Sequence, residues 1–206
     1  MKVGYNPIAK EYTAFRSEDT EDIHLLEELV DRLPRGAKVL DAGCGSGVPM
    51  TRHLAQFFEV IGVDFAEEQI RRARRLVPEA TFLCEDITEL AFDDGTFDTI
   101  CSYYAIIHIP RDEHRGLLRN FYRMLRPGGL VLLAMGSTDT PEDSADYHGA
   151  RMFWSHYDAE TNQKMLKDVG FAVIWAKLVA DPVDLEGGEG LFVLARKRQV
   201  LVALAP

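Results

Sequence analysis

One stretch constrains this 206-residue chain more than any other: Val39-Leu40-Asp41-Ala42-Gly43-Cys44-Gly45-Ser46-Gly47, an apolar strand that runs straight into three alternate glycines. A helical pattern follows over residues 50–57. Glycine is needed where the backbone takes a positive φ or must come within contact distance of a ligand, and a helix start beside it offers unpaired N–H groups. The reading therefore expects a bound molecule against a strand-to-helix bend. Such a loop alone does not choose among ligands. Dinucleotide sites use G-x-G-x-x-G/A, whose last small residue packs helix on strand, and that position is Val48 here, so the dinucleotide fingerprint fails.

The rest of the chain repeats the same grammar. Short apolar runs at 38–42, 60–63, 81–84 and 99–103 are separated by turns and by helical patterns at 50–57 and 67–76, with another at 112–125 after the fourth run. An amphipathic helix over 20–33 precedes them and stops at Pro34-Arg35-Gly36. Alternating strand and helix predicts an α/β fold, a mostly parallel sheet with helices on both faces. A fifth run, 130–135, leads into a polar and aromatic stretch, 136–158, longer than an ordinary connection. After a helix at 159–169 come two runs, 171–179 and 190–195, joined by a loop with no helical pattern, which should therefore pair antiparallel.

Further residues narrow the ligand. The second strand, Glu59-Val60-Ile61-Gly62-Val63-Asp64, ends in an acid whose carboxylate can accept from two vicinal ribose hydroxyls. Downstream lie Cys84-Glu85-Asp86-Ile87, then Leu90-Ala91-Phe92 and Gly95-Thr96-Phe97-Asp98, and later Leu125-Arg126-Pro127-Gly128-Gly129-Leu130. Near the start stands Tyr5-Asn6-Pro7-Ile8-Ala9-Lys10-Glu11-Tyr12. As an ordered set these motifs resemble the class I methyltransferases that depend on S-adenosylmethionine (SAM), from about residue 5 to residue 197. The departure is Leu90-Ala91-Phe92 where the family often has Leu-Pro-Phe.

The resemblance implies a three-layer Rossmann-like sandwich with a seven-stranded sheet in the order 3-2-1-4-5-7-6, the last strand antiparallel. It implies SAM as cofactor and S-adenosylhomocysteine (SAH) as product. Carried residue by residue, it assigns cofactor contacts to Asp41, Gly43, Cys44, Gly45 and Gly47 in the first motif. Asp64 would hold the ribose with Phe65 near the adenine, Asp86 and Ile87 would meet the adenine edge, and Ser102, Tyr103 and the lid residue Tyr12 would complete the set. The whole chain is expected to be one domain, residues 1–206, with an N-terminal helical lid (1–36), a sheet core (37–197), an acceptor-site insertion (136–158) and a tail (198–206).

The acceptor has no motif. Methyl transfer from a sulfonium is an in-line displacement that needs mainly positioning and exclusion of water, with a base only for weakly acidic acceptors. By the rule that ligands sit beyond the carboxyl ends of parallel strands, the acceptor pocket should come from the lid and residues 102–110, 136–157 and 181–190. His108 and His148 are the candidate catalytic residues. The Asn/Asp-Pro-Pro-Tyr motif of DNA and some glutamine methyltransferases is absent after strand four, which argues against base or amide nitrogen as the acceptor.

Charge and cysteines limit the partners. Against 33 acids stand 23 Lys and Arg, a formal net charge of −10, so nucleic acid and anionic membrane are expected not to be partners, and a neutral or cationic small molecule fits better. The basic run Arg71-Arg72-Ala73-Arg74-Arg75 reads as a solvated helix end. Cys44, Cys84 and Cys101 lack CxxC spacing, the six histidines lack metal-ligand spacing, and no apolar run approaches a bilayer span. The expectation is a cytoplasmic methyltransferase without metal, monomer or homodimer. The sequence leaves open a non-catalytic SAM/SAH-binding module, a protein or RNA methyltransferase and, more weakly, a nicotinamide enzyme.

Overall fold

The computed structural model describes residues 19–147, 150–181 and 188–199. The chain begins there with two single helical turns, α1 (Glu21–His24) and α2 (Glu27–Val30), where the apolar spacing predicts one helix over 20–33. The two turns still bury one stripe, with Ile23, Leu25, Leu26 and Leu29 almost wholly covered.

Four strands and three helices follow: β1 (Lys38–Ala42), α3 (Met50–Ala55), β2 (Glu59–Asp64), α4 (Glu67–Leu76), β3 (Thr81–Cys84), β4 (Phe97–Ser102) and α5 (His114–Met124). Between β4 and α5 a 3₁₀ turn spans Ile106–His108. Then come β5 (Leu125–Met135), β6 (Thr140–Tyr147), β7 (Ala150–His156), α6 (Ala159–Val169), β8 (Phe171–Ala180) and β9 (Glu189–Lys197).

Seven strands form one sheet in the order β3-β2-β1-β4-β5-β9-β8, which is the expected 3-2-1-4-5-7-6 once the β6–β7 hairpin is set aside. β1 to β5 pair in parallel, and β9 runs antiparallel between β5 and β8. Side chains alternate across the sheet, because successive strand residues point to opposite faces. Leu40, Ile100, Val131 and Leu133 join α5 and α6 in one core, and Val39, Cys101, Leu130 and Leu132 join the N-terminal turns and α3 in the other.

Two features depart from the sequence pattern. The stretch expected as a long loop is in large part a separate two-stranded sheet, β6 paired antiparallel with β7. Strand β5 also starts at Leu125, before Arg126-Pro127-Gly128-Gly129, and an irregularity between Phe97 and Thr99 absorbs the extra residues.

Candidate functional site

The carboxyl ends of β1, β2, β3 and β4 meet at a cavity of about 330 Å³. Its wall includes Gly43 and Gly45 from the β1 loop, Asp64 and Phe65 from β2, Asp86 and Ile87 beyond β3, and Tyr103 and His108 beyond β4. Eight of the expected residues, Gly43, Gly45, Asp64, Phe65, Asp86, Ile87, Tyr103 and His108, thus share one wall. Asp41, Cys44, Gly47 and Ser102 lie off it. Tyr12 and His148 lie outside the described residues.

The three glycines have three different reasons. A Cβ on Gly43 would stand 2.2 Å from that of Ala105, so the loop after β4 closes on it. Gly45, at φ +53°, lines the cavity, and a Cβ on it would meet nothing within 4 Å. Gly47, at φ +76°, would press a Cβ on Val77 and Phe82 at 3.2 Å, which makes it a packing residue against α4 and β3. Cys44 turns into that same cluster, and burial raises its thiol well above the usual range.

Asp64 is the junction of the wall. One carboxylate oxygen accepts from the Gly45 amide at 3.0 Å and the other from Ala66 N–H at 2.8 Å. Desolvation nonetheless pushes its pKa up to about 6. Each oxygen has a second lone pair for a ligand hydroxyl. Asp41 sits below the loop, 1% exposed, where it accepts from the Thr51 hydroxyl at 2.6 Å and is likewise raised to about 6, first by burial. Asp86 receives the backbone N–H and hydroxyl of Thr88 at 3.0 and 2.7 Å, a local turn that fixes its carboxylate on the wall. Ser102 donates to the Ala42 carbonyl at 2.8 Å and ties β4 to β1.

Two wall residues have features that the sequence did not show. Gln69 lines the cavity at 1% exposure, and its Oε1 has no partner among the described residues. A buried amide oxygen left so costs about 1–3 kcal/mol, which makes it a candidate acceptor for a ligand donor. The signal was a polar residue within the apolar stripe Ala66, Ile70, Ala73 of α4. Tyr104 takes φ +55°, rare for a bulky residue, and lines the wall with Tyr103. Its hydroxyl donates to the buried Asp22 carboxylate at 3.2 Å, and Tyr103 donates to the Asp22 carbonyl at 3.0 Å. The N-terminal turns are therefore wired to the cavity.

His108 meets the hairpin here. Its Nδ1 lies 2.6 Å from the Phe153 carbonyl, which can only accept, so Nδ1 carries the proton and Nε2 the lone pair. Burial lowers its pKa to about 4, and the ring is neutral at physiological pH. Among the described residues, no group of three His, Cys, Asp or Glu is placed to hold a metal ion, and no helix is long and apolar enough to cross a membrane.

A family model described as a methyltransferase domain matches residues 39–129, the span that carries β1 to the start of β5 and most of the cavity wall. That span is a methyltransferase domain, and the chain is similar to the class I SAM-dependent methyltransferases. Among curated members, it is 33% identical over 138 residues to the 2-methyl-6-phytyl-1,4-hydroquinone methyltransferase of Synechocystis, covering 64% of this chain and 42% of that one. It is 32% identical over 168 residues to phosphoethanolamine N-methyltransferase 3 of Arabidopsis thaliana, covering 77% and 34%. The chain thus spans less than half the length of either relative. Its fold is similar to the crystal structure of a SAM-dependent methyltransferase from Methanosarcina mazei, with TM-score 0.74, 21% identity, and coverage of 84% of this chain and 98% of that one.

Proposed function

We propose that the chain binds SAM in the 330 Å³ cavity and transfers its methyl group to a small-molecule acceptor, releasing SAH. The observation that carries this reading is the pairing of Gly45 with Asp64: a loop amide tied to a carboxylate at 3.0 Å, with open space where any other residue would place a side chain. An adenosyl ligand needs such a flat, close backbone surface beside a hydroxyl acceptor. The residues fit the group: Asp64 has lone pairs left for ribose hydroxyls, Gln69 offers an unpartnered amide oxygen, and Asp86 and Ile87 form the adenine end as the family motif implies. Asp41, off the wall, acts one step back by holding the loop through Thr51.

SAM supplies an electron-poor methyl carbon on a sulfonium leaving group. The chain's own task is to bind, align and keep water out. Tyr103 and Tyr104, 5% and 9% exposed, close the wall with aromatic rings. Neutral His108 adds no positive charge to the wall, which avoids repelling a positively charged donor. With a pKa of about 4 it is too weak a base to take a proton from a weakly acidic acceptor, so its role here is to position.

Calorimetric titration with SAM and SAH tests the reading. Binding of both at micromolar concentrations is expected; silence at about hundreds of micromolar, equivalent to less than about 5 kcal/mol of binding free energy, overturns it.

A further inference from the structure

A second cavity, about 240 Å³, opens beside the first, and Tyr104 lines both, so its side chain stands between them. The rings of Tyr103 and Phe192 meet that of Tyr104 nearly edge-on, at centroid distances of 6.3 and 6.0 Å. The next residue, Ala105, fills the space that Gly43 leaves beside it. The Tyr104 hydroxyl reaches 82 residues back along the chain, to the Asp22 carboxylate at 3.2 Å. Yet the Tyr104 backbone sits at φ +55°, a left-handed conformation that a bulky residue disfavours by about tenfold or more. A contact elsewhere must offset that strain.

Asp22 is placed to supply it. This buried residue lies in the first turn of α1, where its Oδ1 accepts from the Thr20 hydroxyl and from the Ile23 N–H at 3.0 Å. Those two bonds fix the carboxylate within its own turn. The oxygen that Tyr104 reaches is the other one, Oδ2, which neither bond of the turn uses. Removing one partner of a buried polar pair shifts an equilibrium by about fivefold to a hundredfold, which matches or exceeds the backbone penalty. Tyr103 donates to the Asp22 carbonyl at 3.0 Å, so the same turn holds both rings of the wall.

We propose that Asp22 is a positioning residue for cofactor binding: through the Tyr104 hydroxyl it keeps that residue in its strained conformation, so that the ring closes the cofactor cavity against the second one. The inference rests on SAM occupying the first cavity. Asp22 itself lines neither cavity, so its effect on a ligand must pass through the tyrosine. With the tie cut, the Tyr104 backbone relaxes toward negative φ and the ring leaves the wall. The bound cofactor then loses an apolar contact surface and is opened to water from the second cavity.

The test is a double-mutant cycle on the full chain, read as SAH affinity by calorimetry, with the Tm of each ligand-free variant measured beside it. Tyr104→Phe keeps the ring and the Asp22 turn; it should melt within about 5 °C of the parent yet bind SAH at least about fivefold more weakly. Asp22→Ala should melt lower, since its turn is lost too, and weaken SAH by a similar factor. Joined to Tyr104→Phe, it should weaken SAH no further. Ligand-free hydrogen exchange over residues 103–108 should quicken in Tyr104→Phe. SAH affinity of Tyr104→Phe within about twofold of the parent, unchanged exchange there, or penalties that multiply in the double variant would each overturn the inference and leave the cofactor reading intact. If Asp22→Ala does not fold, Tyr104→Phe decides alone by the same twofold limit. If the parent does not bind SAH, the cofactor reading fails first and this one with it.

Discussion

Residues that look alike in the sequence separate once their surroundings are known. Gly45 and Gly47 read as equivalent members of one loop, but Gly45 lines the cavity with open space at its Cβ position, whereas Gly47 is wedged against Val77 and Phe82. Gly45→Ala should therefore melt within about 1–2 kcal/mol of the parent, the strain of a left-handed alanine, yet bind SAH at least about tenfold more weakly. Gly47→Ala should lose stability first, visible as a lower Tm without ligand. Equal loss of SAH affinity at equal stability in the two variants would show that the glycines act alike. Gln69 gives a prediction of opposite signs. Replacing it by Met removes a buried amide oxygen without a partner, so Tm should rise, by the equivalent of about 1 kcal/mol or more, while SAH affinity falls. The aspartates were legible because their strand ends were legible; Gln69 was not, since one polar residue in an apolar stripe reads as a packing compromise until its oxygen is seen to lack a partner.

Elements were readable wherever their apolar period was strong. β1, β3 and α4 have the expected bounds, and β2, β4 and β5 overlap the expected runs, because burial on both faces demands continuous apolar runs. The β6–β7 hairpin was not readable: Thr140-Pro141-Glu142-Asp143-Ser144-Ala145-Asp146 offers no apolar face, and its strand form rests on pairing with β7 rather than on local preference. The break between α1 and α2 was hidden for the converse reason, since the apolar spacing over 20–33 continues through it. What holds the hairpin on the 3₁₀ turn is polar. Ser155, 2% exposed, accepts from the Arg111 N–H at 3.0 Å and donates to the Pro141 carbonyl at 2.6 Å, and Arg111 also pairs with Asp139 at 2.7 Å. Ser155→Ala should cost the hairpin about 1–3 kcal/mol, because it strands two backbone groups, whereas Asp139→Ala, at an exposed ion pair, should cost at most about 1 kcal/mol. Hydrogen exchange should speed up over the hairpin in Ser155→Ala and leave β1, β4 and β5 unchanged. Uniform acceleration across the sheet would mean the hairpin is part of one cooperative core.

At the scale of the whole molecule, the site makes stability and ligand affinity respond oppositely to pH. Asp41 and Asp64 have ordinary values of 3.8 and are raised to about 6, in both cases chiefly by burial. Between those limits the folded chain holds protons that the unfolded chain has released, so their contribution to stability is fully present below about pH 4 and is lost as pH rises through 6. Asn at position 41 stays uncharged throughout. The Tm of Asp41→Asn, relative to the parent, should therefore climb from pH 4 to pH 7 and then level off. For a shift of about two units the span is at most about 3 kcal/mol, or several degrees in a chain of this size. The ligand reverses the sign. In the proposed complex ribose hydroxyls would donate to Asp64, and an ionised carboxylate accepts from them more strongly than a protonated one. The stabilisation that saturating SAH confers should thus grow as pH rises from 5 to 8, over the same range in which the free protein loses ground. Thermal melts with and without SAH at each pH measure both curves. If they move in parallel, the raised carboxylate is not the group that meets the ligand, and Asp64 reverts to a structural anchor for the glycine loop.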